Sequence, residues 1–203
     1  MTDHFRYVAG IYDRIIGPSD PGRLTRILKL PVDGRILDLG GGTGRVTYPL
    51  RTLAGAAVVT DLSMPMLDQA AVKGGLLPVR AVGEALPFPD GTFDRVLIVD
   101  ALHHFRDQRK AIQESLRVLK PGGRLAIEEA DIRRFIVRAV AFLERLILMR
   151  SRFYTPMQIM EMIEGQGLKP RIGDYYLFRV WIVADKPRTD KKLSTEAGWE
   201  ESD

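Results

Sequence analysis

Three groups of residues in this sequence have types and spacings that can do chemistry. The first is Ile36-Leu37-Asp38-Leu39-Gly40-Gly41-Gly42-Thr43-Gly44-Arg45, an apolar run entering a glycine turn. Glycines there let the backbone turn sharply and bring a ligand against bare N–H groups at the start of a helix. A dinucleotide-binding turn would place its third glycine where Arg45 stands, so the spacing is G-x-G-x-G, with Asp38 two residues before the first glycine. The second group is Asp61 at the end of Val58-Val59-Thr60, where a carboxylate can accept two hydrogen bonds from a ribose diol. Leu62 and Met66 follow it and suit one face of an adenine ring. Asp61 would otherwise cap the next helix, a role that Ser63 fills equally well. The third group is Asp100-Ala101-Leu102-His103-His104-Phe105. Either histidine can act as a base near neutral pH, and the alternative for each is a structural or capping residue.

These groups need strands that end where they begin. Short β-branched or leucine-rich runs at 35–39, 57–60, 77–81, 94–99 and 123–128 read as strands, and helical periodicity fits between them at 44–53, 64–73 and 108–119. Such alternation predicts an α/β fold with a parallel, doubly wound sheet, because right-handed crossovers put helices on both faces. Helices are also predicted at 4–16 and 21–30, punctuated by Gly17-Pro18-Ser19-Asp20, and a long arginine-bearing helix at 131–149. Thr155-Pro156 starts a further helix, and 168–174 with 177–184 read as a closing pair of strands. The expected organisation is one domain over 1–186, with an N-terminal helical cover at 1–34, a helical acceptor lid at 131–165 and a polar, disordered tail at 187–203.

The 203 residues, 45% of them hydrophobic, carry enough apolar surface for one α/β core. The absence of cysteine excludes disulfides, thiolate zinc sites and cysteine-adduct mechanisms. No apolar run approaches the roughly 20 residues of a membrane span, and no signal-peptide core opens the chain, so a cytoplasmic protein is expected. The net charge of +4 is spread along the sequence, which allows a nucleic-acid partner without indicating one.

Four blocks in register resemble the class I S-adenosylmethionine-dependent methyltransferases, in particular the group of ubiquinone and menaquinone biosynthesis methyltransferases. They are 36–44, 59–66, Gly83-Glu84-Ala85-Leu86-Pro87-Phe88-Pro89-Asp90-Gly91-Thr92-Phe93-Asp94, and Leu119-Lys120-Pro121-Gly122-Gly123. The resemblance implies a Rossmann-like seven-stranded sheet, mostly parallel with an antiparallel closing strand, and S-adenosylmethionine as cofactor. It implies that Asp38 and the turn Gly40, Gly41, Gly42 and Gly44 hold the methionine end. Asp61 would take the ribose, Leu62 and Met66 the adenine, and Gly83, Glu84 and Asp100 would complete the cofactor site. Where many relatives carry an aspartate for the adenine amino group, this sequence has Val82. Tyr12, in Ile11-Tyr12-Asp13, matches a residue that closes over the methyl donor in similar enzymes, or else faces the core of its helix.

A sulfonium methyl is already activated, so in-line approach and exclusion of water supply most of the catalysis, and His103 is the nearest base for an acceptor that must lose a proton. The Asp/Asn-Pro-Pro-Tyr/Phe signature of amide-nitrogen methylation is missing after 94–99. The expected function is methyl transfer to a small, hydrophobic acceptor by a monomer or homodimer. Arg134, Arg138, Arg145 and Arg152 share one sector of the helix around 132–152, which allows peripheral contact with an anionic membrane, although a lid with solvated arginines explains the pattern as well. The competing functions are a cofactor-binding regulatory protein without turnover and an RNA methyltransferase; a nicotinamide-dependent dehydrogenase would need the missing third glycine.

Overall fold

The computed structural model describes residues 19–131, 133, 152–176 and 178–188. The expected helix at 4–16, Tyr12, most of the helix at 131–149 with three of its four aligned arginines, and the tail beyond 188 lie outside the described residues.

The described chain opens with α1 (Pro21–Leu28), capped by Asp20, whose carboxylate accepts from the Arg23 N–H at 3.0 Å. This helix stops two residues earlier than its pattern predicts. Lys29 adopts a left-handed φ of 51°, and Leu30 precedes a proline, a position that disfavours helix. The strands β1 (Val32–Leu39), β2 (Ala54–Asp61), β3 (Leu77–Arg80), β4 (Phe93–Val99), β5 (Leu119–Ala130), β6 (Arg171–Tyr176) and β7 (Arg179–Asp185) form one sheet in the order β3-β2-β1-β4-β5-β7-β6. Neighbours pair in parallel except around β7, which runs antiparallel to both β5 and β6. This is the Rossmann-like arrangement that the resemblance implies. The closing strands sit later than the pattern predicts because Pro170 keeps the preceding residues out of the hydrogen-bonded ladder.

Both faces of the central strands are covered, so their sequences are continuously apolar rather than alternating. Leu37, Val96, Ile98, Leu125 and Ile127 point into one core, covered by Ile112 and Leu116 of α3 (Gln108–Val118) and by Ile159, Met162 and Ile163 of α4 (Pro156–Glu164). Ile36, Leu97 and Ala126 point the other way, against Leu24 and Leu28 of α1 and Leu50. α4, at the C-terminal end of the expected lid, is thus a core helix, and Thr155 starts it with a full capping box closed by Gln158. A third cluster packs Leu67 and Ala70 of α2 (Met64–Lys73) on Ala57 and Val59.

The α-helix expected over 44–53 does not form. Gly44 lies at φ 70°, and Pro49 has no N–H to donate, so the chain makes turns and then a 3₁₀ helix over Tyr48–Leu53. Thr47, ahead of that helix, is completely buried and turns inward.

Candidate cofactor and acceptor site

In open α/β sheets ligands bind beyond the carboxyl ends of the strands, where the strand order reverses. Here that point lies between β1 and β4, and the turn after β1 occupies it. The amides of Gly40 and Gly41 both donate to the Thr60 carbonyl, at 2.8 and 3.0 Å, and that of Gly42 donates to Asp61 Oδ2 at 3.0 Å. These three amides are therefore satisfied within the fold rather than bare. The glycines contribute space instead. A Cβ on Gly41 would lie 2.4 Å from the Asp38 carboxyl carbon, and one on Gly42 would sit in the open crevice, 3.8 Å from Asp61 Oδ2 and 3.9 Å from Met66 Sδ. Gly42, Asp61 and Met66 thus meet at one place.

Asp38 is buried beneath this turn. The Thr47 hydroxyl donates to its Oδ2 at 2.5 Å, whereas Oδ1 has no hydrogen-bond partner within the protein. Burial pushes its pKa up to about 6, with Asp61 adding to the rise and Thr47 and Arg45 opposing it. A buried carboxylate oxygen left without a donor is an acceptor waiting for a ligand. The free ammonium of an amino-acid group supplies the missing donor and charge, so these residues fit the methionine end of S-adenosylmethionine.

Asp61 accepts from the Gly42 N–H at Oδ2 and from the Ser63 N–H at Oδ1, at 3.0 and 2.8 Å, and a carboxylate oxygen can accept more than one hydrogen bond. Ser63, not Asp61, is the N-cap residue of α2. Leu62 is 42% exposed at the crevice edge, and Met66 is buried at its floor. After β3, Val82 is exposed and Gly83 is buried, with the Phe105 ring packed so that a Cβ on Gly83 would touch it at 3.3 Å. Glu84 directs its carboxylate to the Asp107 N–H at 3.0 Å and so ties this loop to the start of α3.

The end of β4 carries a second cluster of titratable side chains. Asp100 takes a left-handed φ of 50°, and its carboxylate pairs with Arg179 of β7, which also reaches Glu128 Oε2 at 3.2 Å. Burial, with Asp100 close by, raises the pKa of Glu128 to about 7 against the opposing Arg179 and Arg45, while the two carboxylates keep Arg179 charged despite its burial. His103 is buried, and its Nδ1 lies 2.7 Å from Oε2 of the equally buried Glu129, whose Oε1 accepts from the Leu102 N–H at 2.7 Å. The ring of Phe153 stacks on His103 at 4.3 Å with 16° between planes, and the Arg152 N–H donates to the His103 carbonyl at 2.8 Å. His104 lies tilted against His103 at 4.0 Å, and burial together with that neighbour drives its pKa down to about 3. His104 is therefore neutral at working pH and too weak a base to hold a proton there.

Sequence reasoning did not pair Asp38 with Thr47, His103 with Glu129, or Arg179 with Asp100. For Glu129 a signal existed, since Leu125, Ile127 and Glu129 alternate onto one face of β5, and that face carries the apolar run to the carboxylate.

The methyltransferase domain family matches residues 37–127, the span that carries this crevice. A ubiquinone/menaquinone biosynthesis C-methyltransferase from Pasteurella multocida is 41% identical over 146 residues, covering 64% of this chain and 54% of that protein. Its counterpart from Cronobacter sakazakii is 41% identical over 105 residues, 47% of this chain and 42% of its own length. The chain thus spans about half the length of these curated relatives. The crystal structure of a methyltransferase from Thermotoga maritima superposes with a TM-score of 0.73 at 22% identity, covering 90% of this chain and 97% of that one, and so shares its fold. Residues 37–127 are thus similar to a methyltransferase domain family, on a fold shared with a solved methyltransferase.

Among the described residues no helix is long and apolar enough to cross a membrane, and no cluster of side chains could hold a metal ion.

Proposed function

We propose that the protein transfers a methyl group from S-adenosylmethionine to a small, hydrophobic acceptor. The partnerless Asp38 oxygen beneath the glycine turn is the observation that supports this reading best, because a bound amino-acid moiety supplies what it lacks. In the proposed site Asp38 and the turn at Gly40, Gly41, Gly42 and Gly44 receive the methionine end. Asp61 holds the ribose, Leu62 and Met66 flank the adenine, and Gly83 lies at its edge. Glu84 holds the loop that carries Gly83, and Asp100, fixed by Arg179, closes the crevice from β4. His103 receives the acceptor's proton. When bound, the sulfonium supplies an activated methyl group and leaves as a neutral thioether. The residues around it orient the acceptor and keep water out. The names of the curated relatives favour a quinone-like aromatic among hydrophobic acceptors.

Calorimetric titration with S-adenosylhomocysteine, with NADH as control, tests the cofactor site, and labelled methyl donor with a panel of hydrophobic acceptors tests turnover. Binding of S-adenosylhomocysteine alone, followed by label transfer, is the expected result. Binding without transfer to any acceptor would favour the regulatory alternative, and binding of neither ligand would overturn the site. Asp61→Ala is expected to weaken S-adenosylhomocysteine binding by about 1.5–3 kcal/mol, since it removes charged acceptors from the ribose. Unchanged affinity in the same titration would remove Asp61 from the site.

A further inference from the structure

The methionine end of S-adenosylmethionine is a zwitterion, so a site that receives it must offer an acceptor to the ammonium and donors to the carboxylate. Asp38 Oδ1 is the acceptor. The glycine turn does not offer the donors, because the Gly40, Gly41 and Gly42 amides are engaged within the fold and the Gly44 N–H donates to the Gly41 carbonyl at 2.8 Å. They must come from a side chain on the face of the sheet that carries Asp38.

Strand register identifies that face. Asp38 pairs with Leu97 and Leu97 with Ala126, while Val99, two residues on, pairs with Glu128. Residues opposite one another across strands share a face, as do residues two apart along a strand, so Glu128 stands on the same face as Asp38. Arg179 lies opposite Ala130, two residues beyond Glu128, and joins them there. Its side chain is 29% exposed and makes both of its ion pairs, with Asp100 and with Glu128 Oε2, through Nη1. The hydrogens on Nε and Nη2 are engaged by none of the described residues, and that edge of a guanidinium matches a carboxylate in geometry and charge.

We propose that Arg179 binds the carboxylate of the cofactor's methionine end through Nε and Nη2, so that Asp38 and Arg179 together read the zwitterion. This rests on the S-adenosylmethionine reading above and adds to it a binding residue from β7. A third carboxylate beside a guanidinium already shared by Asp100 and Glu128 is repulsive, and Glu128 relieves the repulsion by taking a proton from solvent. Burial already raises the pKa of Glu128 to about 7, and the charged groups that face it among the described residues are Arg179 from β7, Asp100 from the end of β4 and Arg45 from the turn after β1. Binding of the carboxylate therefore takes up part of a proton near neutral pH.

The test titrates the full-length protein calorimetrically with S-adenosylhomocysteine and with its decarboxylated analogue, which keeps the amine, the thioether and the nucleoside. The parent is expected to prefer S-adenosylhomocysteine about 10- to 100-fold, and Arg179→Met to bring the two ligands within about 3-fold of each other. Arg179→Lys keeps the charge without the planar pair of donors and should retain an intermediate preference. Equal weakening of both ligands in Arg179→Met is what a merely structural role predicts, and it would overturn the proposal, as would an undiminished preference for the carboxylate. No preference in the parent would overturn it without any variant. Repeating the titrations near pH 7 in buffers of different ionisation enthalpy gives the protons exchanged. Ionisation of Asp38 contributes equally with both ligands, so proton uptake should be larger with S-adenosylhomocysteine than with the analogue, and Glu128→Gln should abolish the difference. Equal exchange with the two ligands in the parent would place the carboxylate away from Arg179 and Glu128. Failure of S-adenosylhomocysteine to bind the parent would remove the cofactor reading and this proposal with it, whereas tight binding that Arg179→Met leaves untouched would remove Arg179 alone.

Discussion

Asp38→Asn should bind S-adenosylhomocysteine at least ~100-fold more weakly than the parent and yet gain stability relative to it as pH rises, because it removes a buried charge that only the ligand satisfies. Asp38 is 1% exposed, with one oxygen bonded to Thr47 and the other to nothing in the protein. Burial raises its pKa from the ordinary 3.8 to about 6. The folded value lies above the unfolded one, so the contribution of this group to stability is complete below pH 3.8 and is lost as pH rises through about 6. Asparagine does not titrate. Its stability relative to the parent should therefore climb between about pH 4 and 6 and level off above, by an amount on the order of 1–3 kcal/mol. Ligand binding to the parent should weaken as the solution is acidified below about pH 6, and the variant should lose that dependence. Thermal melts and calorimetry across this range check both limbs. Parent-like affinity in Asp38→Asn would show that the methionine end lies elsewhere.

Gly40→Ala and Gly42→Ala are expected to fail in different ways although they stand two residues apart. At Gly40 the backbone is left-handed with φ 73°, and the added Cβ would lie 2.6 Å from the Cβ of Ala101 at the end of β4. Left-handed strain of roughly 1–2 kcal/mol adds to an overpacking term of roughly 1–3 kcal/mol, so chemical denaturation should show a loss of about 2–5 kcal/mol. Gly42 is also left-handed, at φ 54°, but its Cβ would meet nothing closer than 3.8 Å. Gly42→Ala should lose only the strain, about 1–2 kcal/mol, while its methyl group fills the crevice and weakens S-adenosylhomocysteine at least ~10-fold. Equal destabilisation with intact affinity in Gly42→Ala would place the ligand on another side of the turn.

Much of this architecture is legible in the chain, for reasons particular residues make plain. Runs such as Arg35–Leu39 are apolar on both faces because helices cover both, and a length of about five residues tells strand from helix. Asp38, the glycines and Asp61 announce themselves because each stands at a strand end, where the register of neighbouring strands brings them together; Asp38 pairs with Val59, two residues before Asp61. What the sequence does not declare is which distant side chains meet. Thr47 falls in a stretch whose periodicity suggests a helix, and only the left-handed Gly44 and the missing donor of Pro49 turn it under the glycine loop. His103 and Glu129 become neighbours through the parallel pairing of β4 with β5, in which Val99 faces Glu128. Arg179 reaches Asp100 and Glu128 only because β7 runs backwards, opposing Ala130 with Arg179. An antiparallel register cannot be read without knowing the partner strand.

The place of β7 also orders events at the ribosome. Strands β1 to β5 are synthesised first and can pair among themselves, yet β5, whose Leu125, Ala126 and Ile127 are wholly buried in the finished fold, keeps an open apolar edge until residues 179–185 emerge. The same strand delivers Arg179 to the two carboxylates above the crevice. A nascent chain halted before β7 is thus both adhesive along β5 and wrongly charged at its ligand crevice, so closure of the sheet and electrical completion of the site arrive as one late step of synthesis.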